Sequence, residues 1–193
     1  RIASVKATRK ITKAQQMVAA SRFRRALDAV NAARPYCEKM AAVIASLASG
    51  QKGNPSAPRL LSGTGKDHTH LVIVATSDRG LCGGFNTNIV RLAKQTIEAL
   101  LADGKKVMIL CVGRKGRDQL KRIYGPMIVD TIEFTAVKRI GFVNALAIGK
   151  RVLQMYEEGA FDTATIIYSR FKSVMTQIPT AQRLIPAPVE DAS

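Results

Sequence analysis

A glycine-rich segment, Ser77–Asn86, brings together a carboxylate, a guanidinium, a thiol and three glycines within ten residues. It follows the apolar run Leu71–Thr76 and precedes a helical pattern, which is where open α/β sheets often bind ligands. A nucleotide phosphate is therefore the first ligand to consider. The glycines lack G-x-G-x-x-G spacing, however, and the second predicted strand is not followed by the acidic residue that would bind a ribose. The pattern predicts a loop at a ligand position without a nucleotide signature.

A second segment, Gly63–Asp67, superficially resembles a phosphate-binding loop because Lys66 follows Gly-Thr-Gly. Leu60 stands where the first glycine of that loop is required, and Asp67 replaces the Ser or Thr that would bind magnesium. We interpret this segment as part of a linker.

Two histidines, His68 and His70, and the pair Glu157-Glu158 are the remaining groups that could take part in acid–base or metal chemistry. Neither histidine lies near a cysteine or a second cluster of ligands, and no nucleophile, base and orienting acid can be assembled. We expect solvated side chains at all four positions. The sequence therefore predicts no catalytic residue, no cofactor and no metal.

The cysteines Cys37, Cys82 and Cys111 are widely spaced and form no Cys-x-x-Cys motif. This usage does not suggest a disulfide framework or a zinc site, and it is typical of reduced thiols in a cytosolic compartment. The hydrophobic fraction of 47% indicates a folded protein. No apolar run approaches the ~20 residues of a membrane span.

Strands and helices alternate after residue 70, which is typical of a mostly parallel sheet covered by helices. The predicted strands are Leu71–Thr76, Lys106–Val112, Ile128–Phe134 and Ala164–Tyr168, and the helices are Asn88–Ala102, Arg117–Tyr124 and Val143–Glu158. We expect Phe171–Thr180 to pair with the fourth strand. The fold class is α/β, with a Rossmann-like domain over residues 70–185.

A long helix is predicted over residues 1–49, because apolar residues, often alanine, recur there at steps of three and four. This narrow stripe suits a coiled-coil seam better than a globular core, so the helix needs a partner helix. Pro35 removes one backbone hydrogen bond, and we expect a kink or a short break near it. Residues 50–69 are rich in Gly, Pro and Ser and predict a linker.

The predicted helix carries much of the formal net charge of +16, since residues 1–34 contain nine basic side chains and one acid. Such uncompensated charge favours association with nucleic acid, anionic lipid or an acidic protein surface. Aromatic residues for base stacking are scarce in this helix, which contains Phe23 and Tyr36, and no helix-turn-helix is evident.

Two long motifs resemble those of the gamma subunit of F-type ATP synthases. They are Lys10–Ala14 with Met17–Ser21, and Ser77–Gly84 with Asn86. The short segments Arg34–Tyr36 and Gln177–Thr180 are similar to that family as well. The resemblance runs along the whole chain.

This resemblance implies a non-catalytic central stalk. The N-terminal helix would be half of an antiparallel coiled coil that rotates inside a ring of alpha and beta subunits. The Rossmann-like domain would contact the epsilon subunit and the membrane c-ring. Rotation of the stalk would couple proton flow through the c-ring to ATP synthesis or hydrolysis on the beta subunits. The resemblance implies no cofactor, no nucleic-acid partner and no transmembrane segment in this chain.

By the same resemblance, a set of mostly basic residues contacts the alpha/beta ring: Lys10, Lys13, Gln15, Arg22, Arg25 and Arg79. The loop Leu81, Cys82, Gly83 and Gly84 would tie the domain to the shaft. Gln15 is a departure, because the family usually has methionine there, so the local interface is expected to differ.

Residues 186–193 are expected to begin a linker to a C-terminal shaft helix that this sequence does not contain. Without that helix nothing in this sequence buries the seam, so we expect the N-terminal helix to fray or the protein to be poorly soluble. The expected location is the cytoplasmic face of the bacterial plasma membrane, as a peripheral protein, with the matrix side of the mitochondrial inner membrane as the alternative.

Two rival functions remain open at this stage. A nucleic-acid-binding protein with a basic helical arm fits the high isoelectric point, about 10.3. A Rossmann-type enzyme fits the predicted sheet, and a titration with ATP and NAD would reveal it.

Overall fold

The computed structural model of the protein describes residues 1–51, 54 and 56–188. The chain divides into two compact units, Arg1–Ser46 and Leu47–Ser193. The predicted linker 50–69 includes positions 52, 53 and 55, and the predicted segment 186–193 includes 189–193. Those positions lie outside the described residues.

Helix α1, Ile2–Gly50, forms the first unit up to Ser46, and its last residues, from Leu47 to Gly50, belong to the second unit. Large apolar side chains along it are exposed, including Ile11, Val18 and Met40. The helix runs without interruption through Pro35, so the short break considered from the sequence does not occur. A kink at that proline stays a prediction.

The second unit has the alternating order that the sequence predicts. Its elements are α2 (Arg59–Ser62), β1 (Thr69–Ala75), α3 (Phe85–Ala102), β2 (Lys106–Val112), α4 (Arg114–Tyr124), β3 (Ile128–Ile132), α5 (Phe142–Glu157), β4 (Thr163–Phe171) and β5 (Gln177–Ile185). The short helix α2 lies inside the predicted linker.

The sheet has the strand order β3-β2-β1-β4-β5. The first four strands are parallel, and β5 runs antiparallel to β4 as a hairpin. This confirms the mostly parallel α/β fold. The strand that pairs with β4 is Gln177–Ile185, whereas the sequence interpretation began it at Phe171, which lies in β4 itself and pairs with Gln177.

Two apolar layers bury the sheet because alternate side chains of β1 point to opposite faces. Val72 and Val74 pack in the layer that includes α3 and α4, and Leu71 and Ile73 pack in the layer that includes α5. The central strand is therefore apolar at every inner position. This explains why a continuous apolar run, rather than an alternating one, marked it in the sequence.

His70 does not have the solvated environment that the sequence interpretation gave it. It lies within β1 and is buried. Its Nε2 atom lies 2.8 Å from Asp67 Oδ1, although the approach lacks hydrogen-bond geometry. His70 is buried because it belongs to the apolar strand β1, although the segment before it is polar.

Candidate functional site

The glycine-rich loop lies at the carboxyl end of β1, the position that the sequence predicted for it. Strand β1 is flanked by β2 on one side and β4 on the other, so the connections leave this edge in opposite directions. Such a switch point is where open α/β sheets usually bind ligands. The internal contacts of the loop decide whether this one does.

Asn86 holds the glycine-rich loop together through hydrogen bonds to its backbone. Its buried side chain accepts a hydrogen bond from the Ser77 amide at 2.9 Å and donates one to the Arg79 carbonyl at 3.2 Å. The Ser77 hydroxyl also donates to the Arg79 carbonyl, at 2.6 Å. These bonds hold the chain in a tight turn directly before α3.

Asp78 connects the loop to the neighbouring strand ends. One carboxylate oxygen accepts a hydrogen bond from the Arg114 amide and the other accepts one from the Phe134 amide, each at 2.7 Å. Arg114 begins α4, and Phe134 follows β3. A single side chain thus joins the carboxyl ends of β1, β2 and β3.

The first amides of α4 are bonded within the protein. Besides the Asp78 contact, the Lys115 amide donates to the Ser77 carbonyl at 3.2 Å, and the Gly116 amide donates to Thr76 Oγ1 at 2.8 Å. Helix N-terminal amides are the groups that hold phosphate in nucleotide-binding folds. Here the Asp78 carboxylate takes the place of the anion.

Gly113 brings β2 and the Thr76 backbone into close approach. Its φ is +100°, and a Cβ atom there would lie 2.3 Å from the Thr76 carbonyl oxygen. No side chain fits at this distance, so the edge is closed by backbone packing. The arrangement is a structural junction, which agrees with the missing nucleotide signature.

The outer part of the loop is presented to solvent. Residues Arg79–Gly84 are exposed, and Leu81 is fully exposed with a φ of +58°. A leucine in this left-handed conformation carries a steric cost, which is tolerated because the inner contacts determine the turn. The loop therefore displays a cation and an apolar side chain on a rigid base.

Cys82 lines a shallow groove of about 210 Å³ beside this loop. The other lining residues come from the start of α3 and from the β4–β5 hairpin: Gly84, Phe85, Asn88, Ser169, Met175, Gln177 and Pro179. The Cys82 sulfur accepts a hydrogen bond from Asn86 Nδ2 at 3.1 Å. Cys111, in β2, is buried, and desolvation raises its thiol pKa to about 11 although Arg117 opposes the rise.

Two cationic faces run along the exposed part of α1. At about 100° per residue, Lys10 and Lys13 share one face with Lys6 and Arg24. Gln15, Arg22 and Arg25 are likewise exposed and lie on a different face.

The second of these faces is also apolar, since it contains Ile11 and Val18, both exposed. Arg22 and Arg25 therefore interrupt an apolar stripe, whereas Lys10 and Lys13 lie away from it. In the part of the chain that the structure describes, no ion pair involves these five predicted contact residues or Arg79. Their contact with a ring of partner subunits stays a prediction, as does the role of Leu81–Gly84 in joining domain and shaft.

The opposite edge of the sheet carries its own polar cluster, which the sequence did not reveal. Lys105 Nζ lies 2.7 Å from Asp67 Oδ2, and this bond holds the pKa of the Asp67 carboxyl below its usual value. Asp162 accepts hydrogen bonds from the Thr69 and His68 amides, each at 3.0 Å. The Thr69 bond is the main reason why the pKa of Asp162 is lowered. Both carboxylates attach the segment before β1 to the sheet.

Among the described residues, no group of three or more His, Cys, Asp or Glu side chains is placed to hold a metal ion. None of the helices in that same part of the chain has the length and apolar character required to cross a bilayer. The arrangement offers exposed cations and apolar side chains for binding another macromolecule.

Comparison with known proteins identifies the family of this arrangement. A family model described as ATP synthase matches residues 1–193. The "ATP synthase gamma chain" of Mesorhizobium japonicum is 57% identical over the whole chain, which covers 65% of that relative. The protein of the same name from Parvibaculum lavamentivorans is 61% identical over 98% of the chain and 64% of the relative. The chain thus spans a little under two thirds of the length of these relatives.

A solved structure with the same fold is the Tetrahymena thermophila mitochondrial ATP synthase central stalk and c-ring. It matches with a TM-score of 0.52 and 26% identity, over 77% of this chain and 71% of that one.

Proposed function

The chain belongs to the ATP synthase family, and we propose that it is part of the non-catalytic central stalk of that rotary enzyme, corresponding to the gamma subunit. The observation that carries the proposal is α1, an uninterrupted helix of 49 residues with exposed cations and an exposed apolar stripe. A helix of this kind is stable only when other protein covers it.

The relatives and the solved structure support this role. The curated relatives are named ATP synthase gamma chain, and the solved structure is titled as a central stalk with its c-ring. Family membership favours the stalk over the nucleic-acid-binding alternative. The closed edge of the sheet, where Asp78 replaces a phosphate, supports a function without a nucleotide site on this chain.

The proposed partners are the alpha and beta subunits around the helix, and the epsilon subunit and the c-ring at the sheet unit. Catalysis belongs to the beta subunits. Lys10, Lys13, Arg22, Arg25 and Arg79 would meet acidic surfaces of the ring. These exposed cations form no ion pair with another described residue, so they can pair with a protein of opposite charge. The protein would be peripheral, at the cytoplasmic face of a bacterial plasma membrane.

The cationic helix suits rotation because its contacts are electrostatic and exposed. Exposed ion pairs contribute roughly 0–1 kcal/mol each, so single pairs can form and break without trapping the rotor in one position. The apolar stripe differs, since it requires continuous cover from a helix that turns together with α1. We therefore assign the apolar side chains of the stripe to a contact within the rotor. The cations are assigned to the stationary ring, because long Lys and Arg side chains can extend past a covering helix and keep their charge at its edge.

Reconstitution tests the proposal. The full-length protein is mixed with alpha and beta subunits, the complex is purified, and ATP hydrolysis is measured for the wild type, for Arg22→Glu with Arg25→Glu, and for Arg79→Glu. We expect one copy of the protein per three beta subunits and a turnover reduced about tenfold or more in the variants, the factor that corresponds to about 1.4 kcal/mol.

A matched control is Arg122→Glu, a reversal of an exposed cation on α4. This variant should assemble and turn over like the wild type. If no complex forms, or if the control impairs turnover as much as the helix variants do, the stalk assignment is wrong. Binding of duplex DNA that persists at physiological salt would instead support the nucleic-acid alternative.

A further inference from the structure

Helix α5 exposes an apolar face that neither the core nor the proposed ring contacts use. Phe142 is 78% exposed and Val143 is 73% exposed, and Leu146 and Leu153 are also exposed. Scattered apolar side chains on a surface are ordinary, but a contiguous group of large ones marks an interaction site.

The exposed residues have the spacing of a helix-packing seam. Val143, Leu146, Lys150 and Leu153 follow one another at steps of three, four and three along α5. The opposite face of the same helix is already buried in the core by Val152, Met155 and Tyr156. A helix that is apolar on two sides packs against protein on both. The repeated three-and-four spacing matches the knobs that one helix offers to another.

The charges on and around α5 indicate what kind of partner would bind this face. No acidic residue occurs between Glu133 and Glu157, whereas that stretch contains four cations: Lys138, Arg139, Lys150 and Arg151. Arg151 Nε lies 3.6 Å from Asp130. Of the other three cations, Lys150 is the one that lies in the middle of the seam, so it is the one that a partner helix would face. A partner with acidic side chains beside its apolar ones would satisfy this surface.

Two other occupants fit less well. A second copy of the chain would place Lys150 and the neighbouring cations against the same cations, since a twofold contact brings one patch onto itself. An anionic lipid surface would attract the cations, but helices that bind at a membrane interface are rich in Lys and Arg. The seam of α5 contains one cation, Lys150.

We propose that the face of α5 formed by Val143, Leu146, Lys150 and Leu153 docks a helix of a partner protein that carries an acidic side chain opposite Lys150. The inference rests on the proposed function, because the partner is sought within the assembled ATP synthase. The partner helix packs along the seam, and its carboxylate pairs with the Lys150 ammonium as the surrounding apolar side chains exclude water.

Site-specific photo-cross-linking tests the docking face. Leu153 is replaced by benzoylphenylalanine in the full-length protein, the assembly is purified, and the cross-linked peptide is identified by mass spectrometry. The same replacement at Arg122, an exposed position on α4, is the control. The expected product is a cross-link from position 153 to a helical peptide of a different subunit that contains Asp or Glu, with a yield well above that from position 122.

A charge swap then tests the ion pair. Lys150→Glu should lower the cross-linking yield about tenfold, and changing the partner carboxylate to Lys should restore it. Lys121→Glu on α4 should leave the yield unchanged. Unaltered near-ultraviolet circular dichroism of the Lys150→Glu protein would show that its sheet unit is intact.

Three outcomes would overturn the inference: no cross-link above the Arg122 level, a product with lipid, with another segment of the same chain or with a second copy of it, or a yield insensitive to Lys150→Glu. If the protein enters the assembly and one of these results is found, the docking face is wrong and the stalk proposal stands. If the protein does not enter the assembly, the stalk proposal fails and the docking partner sought within it fails too.

Discussion

Large apolar residues are exposed along helix α1 but buried in the centre of the sheet unit. In α1, side chains such as Ile11 and Val18 are exposed, whereas the large apolar side chains of β1, Leu71–Val74, are completely or almost completely buried. The sheet unit therefore contains most of what stabilises it, while α1 has helical periodicity but little tertiary support within its unit. The difference shows that apolar periodicity predicts a helix equally well whether or not the same chain buries the apolar face of that helix.

Charged residues show the same contrast. Asp78 and Asp162 of the sheet unit accept backbone hydrogen bonds and so hold strand ends and loops. On α1, the cations Arg22 and Arg25 form no ion pair with another described residue. These two carboxylates of the sheet unit have a structural role, whereas Arg22 and Arg25 of the helix are available to a partner. Each of the following changes tests one side of this contrast.

The largest effect is expected from Gly113→Ala. A Cβ atom at this position meets the Thr76 carbonyl at 2.3 Å and the φ of +100° disfavours any side chain, so backbone must shift. We expect the free energy of unfolding of the sheet unit to fall by about 4 kcal/mol. Urea denaturation monitored by tyrosine fluorescence measures this loss.

Gly125→Ala is the matched control, because a Cβ atom there has nothing within 4 Å and its φ is −48°. It should change the unfolding free energy by less than about 0.5 kcal/mol. Equal losses in the two variants would contradict the backbone junction described at Gly113.

Pro35→Ala should strengthen α1 considerably. The change restores an amide to the helix interior and removes the ring that crowds the preceding turn, which is worth about 3 kcal/mol to an isolated helix. Amide hydrogen exchange of residues 33–39 should slow by about 100-fold, while exchange in the sheet unit stays the same. Exchange that does not change would mean that α1 already has external support near Pro35.

Asp78→Asn should destabilise the junction at the carboxyl edge. The amide keeps one acceptor oxygen, so one of the two backbone bonds is lost and a donor is left unpaired, at a cost of about 2 kcal/mol. Chemical denaturation compares it with Asp103→Asn, a change at an exposed carboxylate that follows α3. A loss in the Asp103 variant as large as that in the Asp78 variant would show that general charge, rather than the two bonds, is responsible.

Acid should weaken the sheet unit through Asp67 and Asp162. The pKa of each is lower in the folded protein, so its stabilisation is complete above the ordinary carboxyl pKa of about 4 and is lost as pH falls through the lower folded value. The unfolding free energy should therefore decline below about pH 4. Asp162→Asn should flatten that decline, and a decline that keeps its full slope would remove Asp162 from the explanation.

The smallest effect is expected from Ala20→Glu. The new carboxylate lies one turn before Arg24 and would form an i,i+4 pair worth about 0.4 kcal/mol. Hydrogen exchange of residues 20–24 should slow about twofold. Ala20→Gln, which has a similar size and no charge, should have no such effect. If both variants behave alike, the cationic surface of α1 is not limiting for its helicity.

Much of the fold could be predicted from the sequence because its strands are continuous apolar runs and its helices are periodic. The misplaced boundaries occur where tertiary contacts decide them. Helix α4 begins at Arg114, three residues before the predicted start, since Asp78 and Thr76 accept the amides of its first turn. The partner strand of β4 begins at Gln177, because residues 172–176 are needed for the turn.

The candidate site was predictable in place but not in organisation. Glycine content and position between a strand and a helix located the loop Ser77–Asn86. Which of its residues face inward followed only from the contacts of Asn86 and Asp78. The outward seam of α5 was equally hidden, because a pattern shows that a helix is apolar on two sides without showing which side the core takes.

The sequence by itself determined the α/β class, the long basic helix, the absence of a nucleotide signature and the family resemblance, since each depends on residue type and local spacing. The tertiary structure decided the features that depend on contacts between distant residues. These are the strand order, the position of the Asp78 carboxylate where a phosphate would bind, the burial of His70 and the exposure of Leu81. Local spacing is written along the chain, whereas burial and hydrogen bonding depend on which segments the fold brings together.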